Sequence, residues 1–486
     1  MKGSEVIRDG LWPGALAGLF GGLVFGAAMS ELGVLPTVAS LVRADSAAVG
    51  FAVHMVIAAL VGAGFGLLVW HQQVAAGETF FWGLTYGTLW WFLGPLTLMP
   101  LLLGGGLAWD VGSAREAFPS LLGHLLYGAA TGLALVAIRR TWSGEGGRPR
   151  RGAVLRGALA GLLGAWLLGR MLQGQDRLMA FSTAMPVHTH RGAWLVLLAT
   201  GVLAGAGFAL LFPRRTDSSG VSLIRGTLYG FFWWVVGALT LMPLIGGAGL
   251  TWSLEAARAN FATFPGYVLF GATLGLLYQW FAAMADLLFS DMIADPHQEG
   301  VGAEGLRAIG RGAVSGLMGG LIFTVVMVRV GFLPTVARLV GSTSPLTGFL
   351  AHLVIADLIG VSYGVLFRRQ SYDIGSALGW GVAYGFFWWI LGPLTLLPIL
   401  LGAPPRWTVE VAAGLTASLV GHLAYGAAVG ITFHRLEARY NPWWVPRSTA
   451  EAARAARRKQ QVATSAPALW ALVVTIALTL PVVLGR

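Results

Sequence analysis

GLTYGTLWWFLGPLTLMP at residues 83–100, GTLYGFFWWVVGALTLMP at 226–243 and GVAYGFFWWILGPLTLLP at 381–398 are one motif written three times. Each copy runs Gly, two residues, Tyr-Gly, a Trp pair, Gly, then Leu-Thr-Leu and a closing Pro. Tyr86, Trp90, Trp91, Thr97 and Pro100 thus match Tyr229, Trp233, Trp234, Thr240 and Pro243, and again Tyr384, Trp388, Trp389, Thr395 and Pro398. Self-similarity of this kind marks a tandem repeat. The register extends outward from the motif: Pro36, His54, Pro100 and His124 recur 298 residues later as Pro334, His352, Pro398 and His422. The middle copy follows at an offset of 143 residues over its last three helices, and its first loop lacks the LPTVA element found at 35–39 and 333–337.

Around these motifs the chain is apolar. Hydrophobic residues make up 56% and charged residues 11% of it, with 70 Gly and a mean hydropathy of +0.72, which excludes a water-soluble globule. Apolar runs of about 20 residues, long enough to cross a ~30 Å hydrocarbon core as helices, follow one another from about 11–29 to about 466–484. We count thirteen. The fold class expected is all-α integral membrane, with about thirteen transmembrane helices arranged as three parallel four-helix repeats plus one C-terminal helix. Repeat one covers 1–142, a basic linker 143–152, the divergent repeat two 153–285 and a second linker 286–306. Repeat three covers 307–435, a basic interfacial segment 436–465 and the last helix 466–486. An even number of spans per unit gives all three the same orientation, unlike inverted-repeat transporters. The first apolar run looks like a signal peptide, but GLFGGLVFGAAM at 18–29 recurs as GLMGGLIFTVVM at 316–327, so it is expected to belong to the fold.

The net charge of +11 is read through the positive-inside rule and not as a nucleic-acid footprint. About two thirds of the Lys and Arg fall on the side of the N-terminus when loops are assigned alternately, which predicts a cytoplasmic N-terminus and, with thirteen spans, an outside C-terminus. The absence of Cys excludes disulfides, thiolate-bound metals and iron–sulfur clusters in this chain.

Four histidines lie inside predicted spans. His54 and His124 are in the second and fourth helices of repeat one, and His352 and His422 are their mates in repeat three. Helical spacing puts His54 on a face with Ala58, Gly62 and Gly66, and His124 on one with Gly128 and Gly132, so each points into protein. Each lies roughly 10 Å in from the outer end at 1.5 Å per residue. In an up-down bundle the two would face each other across the axis, the arrangement that a haem b with two axial His requires. Repeat two has Leu197 and Tyr267 at these positions, so both histidines are lost together, as a shared task predicts. A direct hydrogen bond, a water, a metal or a porphyrin would each need both. The structural reading has packing histidines bonded to backbone or to Tyr127 and Tyr425.

Three further positions are candidates. Pro95 and Pro393 free backbone carbonyls inside the membrane region, which protein, water or an ion must satisfy. Either a ligand site or a plain helix end answers that need. Asp357, five residues after His352, is a membrane-embedded acid whose plain alternatives are a protonated carboxyl or a bond to Ser362. The remaining histidines, His71, His188, His190, His297 and His434, read as solvated loop or span-end residues, and no nucleotide, metalloprotease or Ser-His-Asp motif is present.

The fourth-helix signature Gly-His-x-x-Tyr-Gly, at Gly123, His124, Tyr127 and Gly128 and at Gly421, His422, Tyr425 and Gly426, follows a Pro-broken third helix. It resembles small uncharacterised four-helix membrane proteins of bacteria and archaea, of the YagU-like kind. The resemblance covers each four-helix unit separately, departs from the pattern at Tyr267, and implies an inner-membrane location without a catalytic activity.

The sequence leaves three functions open. The first is an accessory or haem b-carrying subunit of a membrane redox complex, with His54, His124, His352 and His422 as iron ligands and other membrane subunits as partners. The second is a channel or transporter whose path passes the broken third helices and Asp357. The third is a ligand-free scaffold. The partner common to all is the lipid bilayer, with no nucleic acid, and an enzyme acting on its own is not expected.

Overall fold

The computed structural model describes residues 7–69, 75–143, 151–184, 188–213, 218–289, 301–368, 370–371, 373–405, 407–440, 473 and 476. Among these residues every regular element is helical, and eleven helices are long and apolar enough to cross a membrane. The expected third span, at 79–103, is a helix but is not one of the eleven. Thr79, Thr85, Tyr86 and Thr88 lower the hydropathy of that stretch. The expected thirteenth span lies outside the described residues apart from Val473 and Ile476, which are helical and buried. The basic linker, the interfacial segment, His71 and His297 also fall outside them, except that residues 143, 151–152 and 436–440 are helical. Helices run into the expected second linker as far as Phe289 and again from Val301.

Among the described residues twelve long helices set the architecture. They are α1 (Trp12–Glu31), α2 (Ala47–Val69), α3 (Ala76–Leu93), α4 (Phe118–Ser143), α5 (Arg151–Gln173), α6 (His190–Leu211), α7 (Ser219–Trp233), α8 (Phe264–Phe289), α9 (Val301–Arg329), α10 (Pro345–Phe367), α11 (Ile374–Leu391) and α12 (Thr416–Tyr440). Packing follows one order in each group of four. α1 packs on α2 and α4, and α4 on α3; α5 on α6 and α8, and α8 on α7; α9 on α10 and α12, and α12 on α11.

Small residues cause this order. Between membrane helices there is no hydrophobic drive beyond what lipid already offers, so association rests on close packing. A Cβ placed on Gly83 would overlap the Gly128 carbonyl oxygen, and one on Gly128 the Gly83 carbonyl oxygen, so α3 and α4 touch backbone to backbone. Gly18 stands in the same relation to the Ala58 carbonyl across α1 and α2. Tyrosines then fasten helices that the glycines have brought near. The Tyr86 hydroxyl donates to the Val61 carbonyl at 2.8 Å, Tyr229 to Ala204 at 2.9 Å, Tyr127 to Ala58 at 2.8 Å and Tyr425 to Ala356 at 2.6 Å.

Consecutive groups meet head to tail. Phe80 and Phe81 of α3 pack on Phe232 and Phe212 of the middle group, with ring centroids 4.9 and 5.8 Å apart. Beneath them Glu78 Oε1 meets Arg225 Nη2 at 2.5 Å, and the guanidinium lies 4.6 Å from the centroid of Phe212. The middle group repeats the contact on the last. α7 packs on α10 and α11, Gly220 sits on the Phe367 ring, and Ser218 Oγ donates to the Leu366 carbonyl at 2.5 Å. The corresponding gap between α2 and α3 of the first group is an apolar cleft of about 760 Å³ lined by Phe65, Leu68, Val69, Trp82, Tyr86 and Leu89.

The Glu78–Arg225 pair is almost wholly buried, so each charge depends on the other. Arg225→Met strands the Glu78 carboxylate and is expected to cost about 3–5 kcal/mol, read as a lower thermal midpoint of the purified protein. The double change Glu78→Met with Arg225→Met should recover most of that loss. Equal midpoints for wild type and the single variant would remove the pair from the list of structural determinants.

Candidate functional site

The histidines sit where the helices come closest. α2 carries His54 four residues before Ala58, on the face that meets the Gly14–Gly18–Gly22 side of α1. The close approach exposes the Gly22 carbonyl to a second hydrogen bond, and His54 Nε2 lies 2.9 Å from it. A carbonyl only accepts, so Nε2 carries the proton. The last group repeats this bond, with His352 Nε2 at 3.1 Å from Gly320 O.

The partner histidines use the other ring nitrogen. His124 Nδ1 lies 2.8 Å from Ser120 O, and His422 Nδ1 lies 2.8 Å from Ser418 O, one helical turn back. Here Nδ1 must be the donor, which leaves Nε2 unprotonated in the neutral ring. Nε2 of His124 faces Gly94, and Nε2 of His422 faces Gly392, each 3.8 Å from where a Cβ would stand at the break in the third helix.

The two imidazoles of a pair do not face each other across an open axis, as the bundle geometry had suggested. Phe25 of α1 touches both, its centroid 5.5 Å from His54 and 5.0 Å from His124. Phe323 does the same for His352 at 5.3 Å and His422 at 4.6 Å. The cause is the helix order: the second and fourth helices both pack on the first, and its phenylalanine fills the space between them. A Cβ on Gly123 or Gly421 would overlap that same ring, so Gly in the Gly-His signature makes room for phenylalanine. Tyr127 and Tyr425 do not bond the histidines, because their hydroxyls are taken by Ala58 and Ala356.

In the last group the pair opens on a cavity of about 270 Å³. His352 and His422 line it with Phe323, Trp388, Gly392 and Pro393. The structure thus brings together three of the residues singled out in the sequence. In the middle group Leu197 and Tyr267 are both buried, and the Tyr267 hydroxyl approaches Gly237 where the imidazoles approach Gly94 and Gly392.

Asp357 is not among the residues lining the cavity. Its Oδ1 is buried without a hydrogen-bond partner among the described residues. The bond to Ser362 is not made: Ser362 Oγ lies 2.7 Å from Ile359 O and 2.6 Å from Tyr384 Oη. His434, read as solvated, is half-buried and donates from Nδ1 to Ser371 O at 2.8 Å.

At Pro95 and Pro393 the helix widens into a turn with i to i+5 bonding, Gly94–Leu98 and Gly392–Leu396. The Thr97 hydroxyl donates to the Phe92 carbonyl at 2.8 Å, five residues back, and Ala108 N–H takes the Leu96 carbonyl that Pro100 leaves free, at 3.0 Å. Thr240 and Thr395 do the same for Val235 at 2.9 Å and Ile390 at 2.8 Å. A tryptophan twelve residues on caps each threonine: Trp109 to Thr97, Trp252 to Thr240 and Trp407 to Thr395, at 3.0, 3.0 and 3.2 Å. The middle group makes the same wide turn with Ala238 in place of proline. Protein groups therefore satisfy the Phe92, Leu96, Val235 and Ile390 carbonyls, which favours the structural role of the break.

Sequence reading missed the three capping tryptophans, although their fixed distance from Thr was there to be found. It also missed Phe25 and Phe323, two apolar residues in apolar helices that carry no chemical signal of their own. Thr240→Val removes both the bond to Val235 O and the acceptor for Trp252. It should lower stability by about 1–3 kcal/mol, whereas Thr240→Ser should stay near wild type in the same thermal melt. Comparison with protein-family models, with curated proteins and with solved structures gives no match for this chain.

Proposed function

We propose that this chain is a multi-pass inner-membrane subunit of three parallel four-helix repeats and thirteen spans, with its N-terminus cytoplasmic, and that it binds a small molecule at its paired histidines. The observation that carries this reading is the cavity of about 270 Å³ on which His352 and His422 both open, each imidazole with one nitrogen not engaged by protein among the described residues. Repeat one has the same hydrogen bonds at His54 and His124 and supplies a second site of the same design. The middle repeat, with Leu197 and Tyr267, serves as the structural spacer between them. The YagU-like resemblance agrees with the inner-membrane location, and a membrane redox complex is the setting in which such a subunit would work.

Haem b is the less favoured occupant. Two axial imidazoles must point their unprotonated nitrogens at one iron from opposite sides, whereas a phenylalanine of the first helix in each group stands against both rings and fills the space between them. A carrier whose path passes Asp357 is the second reading, supported by the buried, unpartnered Oδ1.

The reading is tested by extracting the purified protein with organic solvent and identifying co-purified molecules by mass spectrometry. A reduced-minus-oxidised absorption spectrum and an iron assay run beside it. A molecule present with wild type and depleted with His422→Phe is the expected result, without a Soret band. Identical extracts from both proteins would sink the binding reading. A Soret band with one or two irons per chain would restore haem, and uptake into liposomes that Asp357→Asn abolishes would favour the carrier.

A further inference from the structure

We infer that the His352–His422 cavity selects an uncharged, apolar molecule that brings a hydrogen-bond donor, a hydroxyl of the phenol or quinol type, and discriminates against the same molecule lacking that donor. The inference rests on the binding reading above and adds the chemistry of what is bound.

It follows from where the protons are. A neutral imidazole has one N–H and one lone pair. His352 spends its N–H on Gly320 O, and His422 spends its N–H on Ser418 O. The alternative tautomer of His422 would set a lone pair against the Ser418 carbonyl at 2.8 Å, so the carbonyl fixes the proton on Nδ1. Ser418 Oγ, at 3.3 Å from the same nitrogen, does not change this. What remains toward a ligand is a lone pair on Nε2 of His422 and one on Nδ1 of His352. Tyr425, also on the cavity wall, has its proton committed to Ala356 O. The histidines of this cavity are therefore acceptors toward a ligand.

The surroundings decide the rest of the ligand. The walls are built of Phe323, Val326, Met327, Ile355, Leu396 and similar residues, and no acidic or basic side chain other than the two histidines lines the cavity among the described residues. An ionised ligand would be desolvated there without a counter-charge, at a cost of several kcal/mol. A ring or short chain ending in O–H meets both demands. The volume of about 270 Å³ is at the lower limit of ordinary small-ligand pockets. Such a molecule reaches the site from the bilayer, where it partitions. Trp388 Nε1 on the same wall is a donor with no hydrogen-bond partner among the described residues, so a carbonyl oxygen can be met there. A carbonyl-ended or ether-ended analogue still finds no donor on either histidine and leaves the His422 Nε2 acceptor unpaired. Sites built around a buried hydrogen bond reject the analogue that lacks it far more strongly than they reject a missing methylene.

The test uses the full chain in lipid nanodiscs, with empty nanodiscs as the partition blank, and equilibrium dialysis of 4-butylphenol and 4-butylanisole, which differ by O–H against O–CH3. Binding of the phenol on the order of tenfold more tightly than the ether, about 1.4 kcal/mol, is expected for wild type. In His422→Phe the preference should shrink, and with His352→Phe added it should vanish while the ether still binds. Equal binding of the two probes by wild type would overturn the donor rule and leave the binding reading standing. Failure of both probes to bind, together with solvent extracts that His422→Phe leaves unchanged, would overturn both. Zinc alone binding to wild type and not to His422→Phe, without any preference for the phenol, would overturn the inference in favour of a metal. Because wild type alone discriminates the two probes, the result does not depend on the variant folding.

Discussion

Every carbonyl exposed inside a bilayer needs a donor, and that constraint organises this molecule. Glycine-lined contacts such as Gly18 with Ala58 and Gly83 with Gly128 bring backbones close enough for carbonyls to be reached from a neighbouring helix. Tyr86, Tyr127, Tyr229 and Tyr425 each send a hydroxyl to such a carbonyl, as His54 and His352 send Nε2–H. Arg139 makes the same contact near the helix ends, to the carbonyls of Val69 and Asp9, both at 3.1 Å. Trp91 and Trp389 donate to Ala117 and Leu415 at 2.9 and 3.1 Å. These bonds are directional, so they add register to the non-directional fit of small residues.

The same bonds set the chemistry of the site. An imidazole that donates to backbone is locked in one tautomer, and its remaining nitrogen becomes an acceptor of fixed direction. His352 and His422 use different nitrogens for their backbone bonds, so their free lone pairs arise on different ring edges. The phenylalanine between them keeps them from bonding each other and gives the cavity an apolar side. Structural and ligand-binding roles are thus compatible: one ring nitrogen holds the fold, and the other remains for a guest.

Much of this was legible in the sequence, because identical spacing is a geometric statement. The 298-residue register carried His54 and His124 onto His352 and His422, and the structure gives both pairs the same bonds. Asp357 was legible as an outlier, but the missing bond to Ser362 was not: Ser362 is five residues on and lies within reach by spacing, yet its hydroxyl meets Ile359 O and Tyr384 of another helix. The space between the histidines was misread for a related reason. Periodicity tells which face of a helix a residue occupies, and it does not tell which helix lies between two faces. Glu78 and Arg225 were invisible as a pair because they are unique to their own groups, at positions where the other copies have Val221 and Ser376, or Trp82 and Trp380.

That asymmetry gives the chain its order. The contact between groups is heterologous, the head of one third helix against the gap between the second and third helices of the next. Such a contact has no built-in limit on the number of units. With near-identical apolar faces, any head could enter any gap. Only the first head carries Glu78, and only the middle gap carries Arg225; Trp380 occupies the matching position in the last gap and Trp82 in the first. Placing the first head in the last gap would bury Glu78 against Trp380 without the partner that Arg225 supplies, a penalty of several kcal/mol that the correct pairing avoids. The ion pair adds less to net stability than to the exclusion of wrong neighbours. It lies where the repeat pattern is broken.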